Sequence, residues 1–416
     1  MNWLYCAVIV VGLIVKSTFT EASSQSIGGR LRSIALWRNE DQIATNEVYS
    51  QFTFSRSGGP WVANADLRAG VDIDEGTRLT PNELWIGFER RNFSANIGWR
   101  IFDQSVQRSL PIADYMNSRD FSFADSNWLK SGELGFSLKK SFSFASFEFS
   151  YLPFPTMPYL ANSSLFLKHQ RPVMVENDGS VWSQPYSLLP QFFLSAKTSF
   201  WSTDLNFFSS RAYAKSWILL YSDPVQKKTN PLQFTAASTM EETVGFSTVK
   251  SMNAWQLRWE SLAQRAGFVP SIISSNEVLL NSTEEYENPI YRNSTGVEYH
   301  WSLGHFSSET WFEWSSSIDM DGNKKVYGTE LFPAQHFAVG QKILFNDLRM
   351  TELELRVIRA SDTAGGVFDI RLQRTFTDSL LIGSSLNIVY GQWREETWLN
   401  QIGQQVGANI FLEWAF

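Results

Sequence analysis

The chain has 416 residues, of which 15% are aromatic, including 17 Trp and 32 Phe, while only 19% are charged. This composition excludes a disordered protein, and a net charge of −7 without a cluster of Lys and Arg argues against a nucleic-acid partner. The single cysteine, Cys6, lies in the N-terminal apolar run, so the remaining chain has no disulfide and no cysteine-based metal site or nucleophile.

The chain begins with an apolar run over residues 3–15, followed by Lys16 and by small residues around Ala22. This run is too short to cross a bilayer as a helix and is typical of a secretory signal peptide. We therefore expect residues 1–22 to be a cleaved signal peptide, with an uncleaved anchor as the alternative. Residues 23–416 contain no apolar stretch as long as a membrane-spanning helix requires, and they are predicted to form a single domain.

Most of the remaining chain alternates apolar and polar residues in segments of roughly ten residues, separated by Gly, Pro, Asn, Asp and Ser. Clear examples are 65–72, 255–260, 352–357 and 368–373, where charged residues share one face of a predicted strand. If such strands cross a membrane, every backbone amide must pair within a closed sheet, with the apolar face toward lipid and the charged face toward the lumen. A soluble β-sandwich or a solenoid is the competing interpretation.

Residues 93–121 read FSANIGWRIFDQSVQRSLPIADYMNSRDF, a strand followed by a polar loop. They resemble a family of Gram-negative outer-membrane barrel proteins, largely of unassigned function, in which a strand with G-R-Q is followed by a W-G turn and by N-P-R-D. The matching residues are Gly98, Arg100, Asp114, Asn117, Arg119 and Asp120. The stretch FEFSYLPFPTMPYLANSS from Phe147 is similar to that family's strand and Pro-rich excursion. The W-G turn is replaced by Asp103-Gln104-Ser105, and Ser118 stands in place of the proline.

This resemblance implies a barrel with a channel-like lumen, but no substrate. A loop that returns into such a lumen needs polar groups to bind the wall. We therefore expect Asp114, Asn117, Arg119 and Asp120 to lie on an inward-folded loop that binds wall residues such as Arg100. An ordinary Asx-type turn with exposed charges is the alternative.

Charged residues of both signs occupy the face assigned to the lumen. The candidates are Asp66, Arg68, Arg100, Glu148, Arg258, Glu260, Glu354, Arg356, Asp369, Arg371 and Glu413. A ring of one sign would select ions of the opposite charge, so mixed signs indicate something else. They favour either a transverse field across a constriction or salt-bridged ladders that hold the wall together.

A search for chemistry gives one weak catalytic motif and no metal site. His300 and Ser302 share a strand face, as in outer-membrane lipid hydrolases where the histidine is the base for a serine nucleophile, but polar lining of the lumen is the simpler interpretation. Residues 319–323 lack a complete calcium loop and favour a hairpin turn. His169, His305 and His336 are isolated from one another in sequence, so no metal or cofactor is predicted.

The last segment has the clearest alternation. Its apolar face consists of Ile410, Leu412, Trp414 and the terminal Phe416. This pattern resembles the C-terminal signature by which the barrel-assembly machinery recognises outer-membrane proteins. An amphipathic strand that happens to end the chain is the alternative.

The sequence therefore predicts an all-β fold, a closed antiparallel transmembrane β-barrel of about 16–18 strands, with 18 as the best estimate. Long loops are expected near residues 103–131, 153–188, 262–293 and 392–405. These stretches interrupt the strand rhythm, and long loops of such barrels either lie outside the cell or fold into the lumen.

The function expected from this pattern is a passive, non-enzymatic channel in the outer membrane of a Gram-negative bacterium. Small polar or mildly amphipathic solutes would pass a charged lumen narrowed by loops. Expected partners are outer-membrane lipid, the assembly machinery, the solute and a second copy of the chain in a homo-oligomer. One alternative is a plugged barrel that acts in surface binding or polymer export, and a second is a lipid-modifying hydrolase that uses His300 and Ser302.

Overall fold

The computed structural model describes residues 26–40, 43–72, 76–110, 112–113, 116–120, 129–153, 173–175, 190–213, 218–221, 232–237, 240–266, 269–270, 283–284, 289–318, 335–345, 350–361, 365–390 and 405–415. The predicted signal peptide, Cys6 and Phe416 lie outside these residues. Among the described residues, no helix is long and apolar enough to cross a membrane.

All regular secondary structure of the described residues is β-strand. In chain order these are β1 (Ser26–Glu40), β2 (Ile43–Gly58), β3 (Trp61–Asp72), β4 (Gly76–Arg90), β5 (Phe93–Arg100), β6 (Ser118–Asp120), β7 (Leu129–Ser131), β8 (Glu133–Ser141), β9 (Ser146–Leu152), β10 (Val173–Val175), β11 (Gln191–Phe200), β12 (Thr203–Tyr213), β13 (Ile218–Tyr221), β14 (Leu232–Ala237), β15 (Met240–Met252), β16 (Trp255–Ala266), β17 (Val269–Pro270), β18 (Thr283–Glu284), β19 (Ile290–Leu303), β20 (Phe306–Ile318), β21 (Gln335–Phe345), β22 (Thr351–Ala360), β23 (Gly366–Thr377), β24 (Leu380–Tyr390) and β25 (Gln405–Ala415).

Eighteen of these strands form one sheet, in which each strand pairs antiparallel with the strands before and after it. The sheet closes because β25 also pairs antiparallel with β1, from Arg30 opposite Ala415 to Asn39 opposite Val406. Closure leaves no strand edge unpaired, which is the condition for a sheet to cross lipid. The predicted all-β antiparallel barrel is therefore confirmed, and its eighteen strands equal the best estimate from the sequence.

Alternate residues of each strand face opposite sides of this sheet. In β9 the side chains of Phe147, Phe149 and Tyr151 are 46%, 37% and 38% exposed, whereas the intervening Glu148 and Ser150 are buried. The last strand shows the same outward row of exposed apolar residues at Ile410, Leu412 and Trp414. The exposed apolar rows are the outer face, because the opposite face is covered by a loop that crosses the interior, as described below.

The two ends of the barrel differ in their connections. The eight connections at one end are two to five residues long, as at Arg91-Asn92 and Trp201-Ser202, and both ends of the described sheet lie there. Six connections at the other end have fourteen residues or more. Bacterial outer-membrane barrels have short periplasmic turns and long extracellular loops, so the long connections mark the extracellular end.

Exposed aromatic side chains form belts near both ends of the outer face. Beside the short turns lie Trp61, Phe93, Phe142, Phe144, Phe200, Trp201, Trp255 and Phe306. Near the extracellular end lie Tyr151, Phe192, Tyr291 and Tyr390. Such girdles occupy the two membrane–water interfaces of transmembrane barrels, and they explain the aromatic excess of the sequence.

Three small sheets lie in the long connections. Within the connection 101–132, β6 pairs with β7, and within 267–289 β17 pairs with β18. In the third sheet β14 pairs with β10 and with β13, so the connections 153–190 and 214–239 pair with each other.

The predicted loop boundaries need correction in two places. The expected loop 262–293 is shorter, because β16 continues to Ala266 and β19 starts at Ile290. Leu262 faces the lumen, so from this residue on the apolar side chain is on the inward face instead of the outward one. Because the alternation of apolar and polar residues is reversed there, the sequence did not predict the end of β16. The long connections 214–239 and 319–334 were not predicted. The segment 319–323, interpreted as a hairpin turn, lies outside the described residues, between β20, which ends at Ile318, and β21, which begins at Gln335.

The two faces of β23 should differ in their tolerance of charge. Leu372 is exposed on the outer face, and its neighbour Gln373 faces the lumen beside Glu352. Leu372→Arg should lower the free energy of unfolding by about 2–4 kcal/mol because it places a guanidinium in the hydrocarbon region, whereas Gln373→Arg should cost less than about 1 kcal/mol. Denaturant unfolding of the protein in lipid vesicles measures both values. Equal costs at the two positions would contradict the assignment of the faces.

Candidate functional site

The lumen contains a loop that crosses from one wall to the other. This inner loop, residues 101–117, leaves the extracellular end of β5, and residues 101–110, 112–113 and 116–117 are described. Its contacts reach β20, which lies eight strands from β5 in the ring of eighteen and therefore almost opposite. A segment with these contacts must run through the interior of the closed sheet.

Glu260 of β16 is the first anchor of the inner loop. Its Oε1 atom accepts hydrogen bonds from the backbone N–H groups of Val106 at 2.5 Å and Gln107 at 3.0 Å, and from the hydroxyl of Ser105. Its Oε2 atom accepts from the N–H of Ala113 at 3.0 Å. One buried carboxylate thus holds the outgoing and returning parts of the loop together.

Glu313 of β20 is the second anchor. It accepts hydrogen bonds from three consecutive backbone N–H groups, those of Arg108 at 2.6 Å, Ser109 at 2.7 Å and Leu110 at 2.9 Å. Buried N–H groups of a loop have no strand partner and must find another acceptor. A carboxylate meets this need well, because hydrogen bonds to an ionised acceptor are stronger than those between neutral groups.

The side chain of Arg108 joins the loop to a network of charges on β19 and β20. Its guanidinium donates to Glu298 at 2.8 Å and to Glu309 at 2.7 Å. Glu298 also pairs with Arg258 of β16 and accepts from Nε2 of His300 at 2.8 Å. The loop therefore completes the charge balance of this wall.

Glu298, His300 and Glu309 have ligand atoms within 4.8 Å of one another, a grouping that could hold a metal ion. Both carboxylates already bind the guanidinium of Arg108. The three side chains therefore form part of an ion-pair network rather than a metal site with unpaired ligands. His300 faces the lumen, and its Nε2 lies 2.8 Å from Oε1 of Glu298. Sequence analysis missed this grouping because Glu309 belongs to the neighbouring strand.

Apolar contacts fix the inner loop on both sides of the anchors. Near its base, Phe102, Ala113 and Met116 pack against Leu152, Phe193, Phe208, Ala212 and Leu262 of the wall. Farther along, Leu110 packs against Ala338, Ile358, Ala360 and Val367. These apolar contacts thus run along the wall from β9 to β23.

Two glycines of the wall make room for these contacts. A Cβ atom at Gly296 would lie 2.4 Å from Oε1 of Gln107, so the loop touches the strand itself there. At Gly340 a Cβ atom would lie 2.1 Å from the ring of Trp311, whose Nε1 donates to Oγ of Ser109 at 3.0 Å. The indole also stacks beneath Arg108, with the guanidinium carbon 5.0 Å from the ring centroid.

Three of the arginines predicted to line the lumen are in ion pairs. Arg100 donates to Glu148 at 2.7 Å, and Arg258 pairs with Glu298. Arg356 donates from Nε and Nη2 to Oδ2 of Asp369, at 2.8 and 2.6 Å. At these positions the arrangement is the salt-bridged ladder, the second of the two alternatives left open by the sequence.

The remaining lumen candidates have other surroundings. Asp66 accepts from Asn82 at 3.2 Å, and Arg371 lies 5.2 Å from the ring centroid of Phe411. Glu354 stands opposite Arg371 in register, and Glu413 stands opposite Arg32 of β1 and Leu381 of β24. The side chain of Arg68 lies outside the described residues.

The residues predicted for the inward loop meet only in part. Asn117 is buried and closes the base of the loop, because its side chain bonds both the N–H and the carbonyl of Phe102, at 2.7 and 2.5 Å. Arg100, the wall residue expected to bind this loop, donates to Glu148 of β9, and its guanidinium carbon lies 5.8 Å from the ring centroid of Phe102 in the loop. Asp114 lies outside the described residues, and Arg119 and Asp120 belong to β6, with side chains that are not described.

No protein-family model matches the chain, and no curated protein matches it. The chain is, however, similar to several solved structures. The outer membrane protein OpdK from Pseudomonas aeruginosa is similar with a TM-score of 0.53 and 8% identity, over 94% of this chain and 98% of that chain. The chain has an outer-membrane β-barrel fold.

Two further structures agree with this conclusion. OccAB2 from Acinetobacter baumannii has a TM-score of 0.52 and 10% identity, over 95% of this chain and 99% of that chain. OccK2 (OpdF) from Pseudomonas aeruginosa, solved in complex with glucuronate, has a TM-score of 0.52 and 9% identity, over 94% and 98% of the two chains. At such low identity the likeness shows the fold, and barrels with this fold are located in the outer membrane.

Each anchor should protect its own set of loop amides. Glu313→Ala should speed hydrogen exchange at residues 108–110 about tenfold or more, and Glu260→Ala should do so at 106, 107 and 113, because each loses its charged acceptor. Exchange measured by mass spectrometry on the folded barrel reports both sets. Glu354→Ala, on the lumen wall of β22, is the matched control and should change neither. Unchanged protection at an anchor's own amides would show that the anchor is wrongly assigned.

Proposed function

We propose that the protein is a passive channel of the outer membrane, through which small polar solutes diffuse past the inner loop. The observation that carries this proposal is the anchoring of the loop across the lumen by Glu260 and Glu313. A loop held at this depth narrows the lumen without needing to fill it. The width and the charge of the remaining passage then decide what passes.

The wall that the loop leaves uncovered supports passage of polar solutes. On strands that the described part of the loop does not reach, Asp66 of β3 and Glu413 of β25 face the lumen and are partly exposed. Arg371 of β23 is also partly exposed, and no described residue hydrogen-bonds its Nε. Charged groups of both signs along a wet wall lower the cost of moving a polar solute through a membrane.

Several finer expectations belong to the same proposal. The likeness of residues 93–121 to outer-membrane barrel proteins with a G-R-Q, W-G and N-P-R-D signature supports an inward loop at this place. Outward-facing Ile410, Leu412 and Trp414 suit the terminal strand by which the assembly machinery would insert the barrel. The apolar outer face would also allow a homo-oligomer. The proposed solutes are small polar or mildly amphipathic molecules.

The channel function is tested by planar-bilayer recording of purified protein that shows the heat-modifiable migration of a folded barrel. The wild-type protein should give ohmic single-channel steps. Replacing residues 104–113 by a short Gly-Ser linker should raise the conductance about twofold or more, because it removes the constriction and leaves the strands intact. Arg359→Gln, on the outer face of β22, is the control and should leave the conductance unchanged.

Two results would contradict the proposal. Absence of conductance from both the wild-type and the linker protein, with heat-modifiable migration preserved, would favour a plugged barrel that acts in surface binding or polymer export. Equal conductance of the two proteins would show that the inner loop does not limit passage.

The proposal includes no catalytic step. Purified protein should release fatty acid from phospholipid or lipid A no faster than the Ser302→Ala variant, because His300 and Ser302 lie on the lumen face of β19, away from acyl chains. Titration of released fatty acid measures both rates. A rate that is abolished by Ser302→Ala would restore the hydrolase alternative and overturn this part of the proposal.

A further inference from the structure

The outer face of the barrel has a groove near its extracellular end. It encloses about 440 Å³ above β12, β15 and β16. Its floor consists of the outward residues Ser209, Val244 and Ala263, which are neighbours across the three strands. Phe192 and Leu194 form the wall on the β11 side, and Pro289 lies at the other side.

The groove exists because small side chains interrupt an aromatic surface. One row closer to the membrane centre, Phe207 and Phe246 stand side by side, with ring centroids 6.3 Å apart, and close the lower end. Val244 remains 63% exposed on the floor. The depression is therefore open to the hydrocarbon of the membrane and has the apolar lining that an acyl chain prefers.

Charged side chains form the upper rim. Arg211, Glu242 and Arg265 lie side by side in register across β12, β15 and β16. Arg211 stands opposite Phe192 of the extracellular aromatic belt, which places the rim at the level of lipid headgroups. Nε of Arg211 is 3.9 Å from Glu242, and Arg265 makes no ion pair with a described residue, so guanidinium donors remain available.

The combination matches one class of ligand. Guanidinium groups bind phosphate through paired hydrogen bonds, and an apolar groove beneath them takes the attached acyl chain. Glu242 between the arginines can accept hydrogen bonds from hydroxyl or amide groups, which a purely cationic rim would not offer. The extracellular leaflet beside this end of the barrel consists of lipopolysaccharide, whose lipid A part has phosphorylated glucosamine, hydroxyl and amide groups and acyl chains.

We propose that this groove is a binding site for lipid A, in which Arg211 and Arg265 hold a glucosamine phosphate and the floor around Val244 holds an acyl chain. The site lies on the outer face and is independent of the lumen. Its occupant would stabilise the folded barrel, because a ligand that binds only the folded state raises the free energy of unfolding.

The test uses the folded full-length barrel in detergent, with hexa-acylated lipid A, its dephosphorylated form and phosphatidylglycerol as ligands. Native mass spectrometry measures their affinities. Arg211→Gln/Arg265→Gln should weaken lipid A binding about tenfold or more. Arg359→Gln removes an exposed arginine from the same end of the outer face, outside the groove, and should have no effect. Heat-modifiable migration shows that each variant is folded.

A second variant separates the groove from the rim. Val244→Phe keeps both arginines and fills the floor, so it should weaken lipid A binding and leave the weak binding of phosphatidylglycerol unchanged. Dephosphorylated lipid A should bind the wild-type protein as weakly as lipid A binds the double arginine variant. Equal losses in Arg359→Gln, full binding by Val244→Phe, or phosphatidylglycerol binding as tight as that of lipid A would overturn the proposal.

Discussion

The structure depends on one constraint, that a sheet surrounded by hydrocarbon cannot leave backbone amides without partners. The pairing of β25 with β1 satisfies it by removing the last two edges, Arg30–Asn39 and Val406–Ala415. Closure then creates an interior that lipid cannot reach. Apolar residues therefore occupy the outer face, and the polar alternate row, which would be costly outside, becomes the wall of a lumen.

The same constraint acts again inside the lumen, on a segment that has no strand to pair with. The inner loop buries its N–H groups against the wall, and the wall supplies Glu260 and Glu313 as acceptors. Neither carboxylate needs a cation in contact, because three or four hydrogen-bond donors surround each one. Arg108 meets the opposite need, since its charge is matched by Glu298 and Glu309. The inner loop is thus held by polar contacts whose loss would leave charges buried and unpaired.

The sequence was sufficient for the fold, because alternation along each strand follows directly from which face meets lipid. It also placed Glu260 and Arg258 on the lumen wall and an inward loop after β5. It could not show that Glu313 accepts from residues more than 200 positions earlier, since alternation assigns a face but not a partner. The sequence likewise suggested that Asn117 binds the wall, whereas its side chain bonds the backbone of Phe102 within the loop.

One signal in the sequence would have located the docking wall of the inner loop. A wet lumen favours polar residues at inward positions, yet Phe193, Phe208 and Leu262 are apolar at positions of inward register on three strands of the same wall. Such residues are costly in water and become favourable only when something apolar covers them. In a barrel, large apolar side chains in the inward phase of successive strands therefore mark the part of the wall that an inner loop occupies. Here they coincide with the contacts of Phe102 and Met116, and the same reversal of phase is what concealed the end of β16.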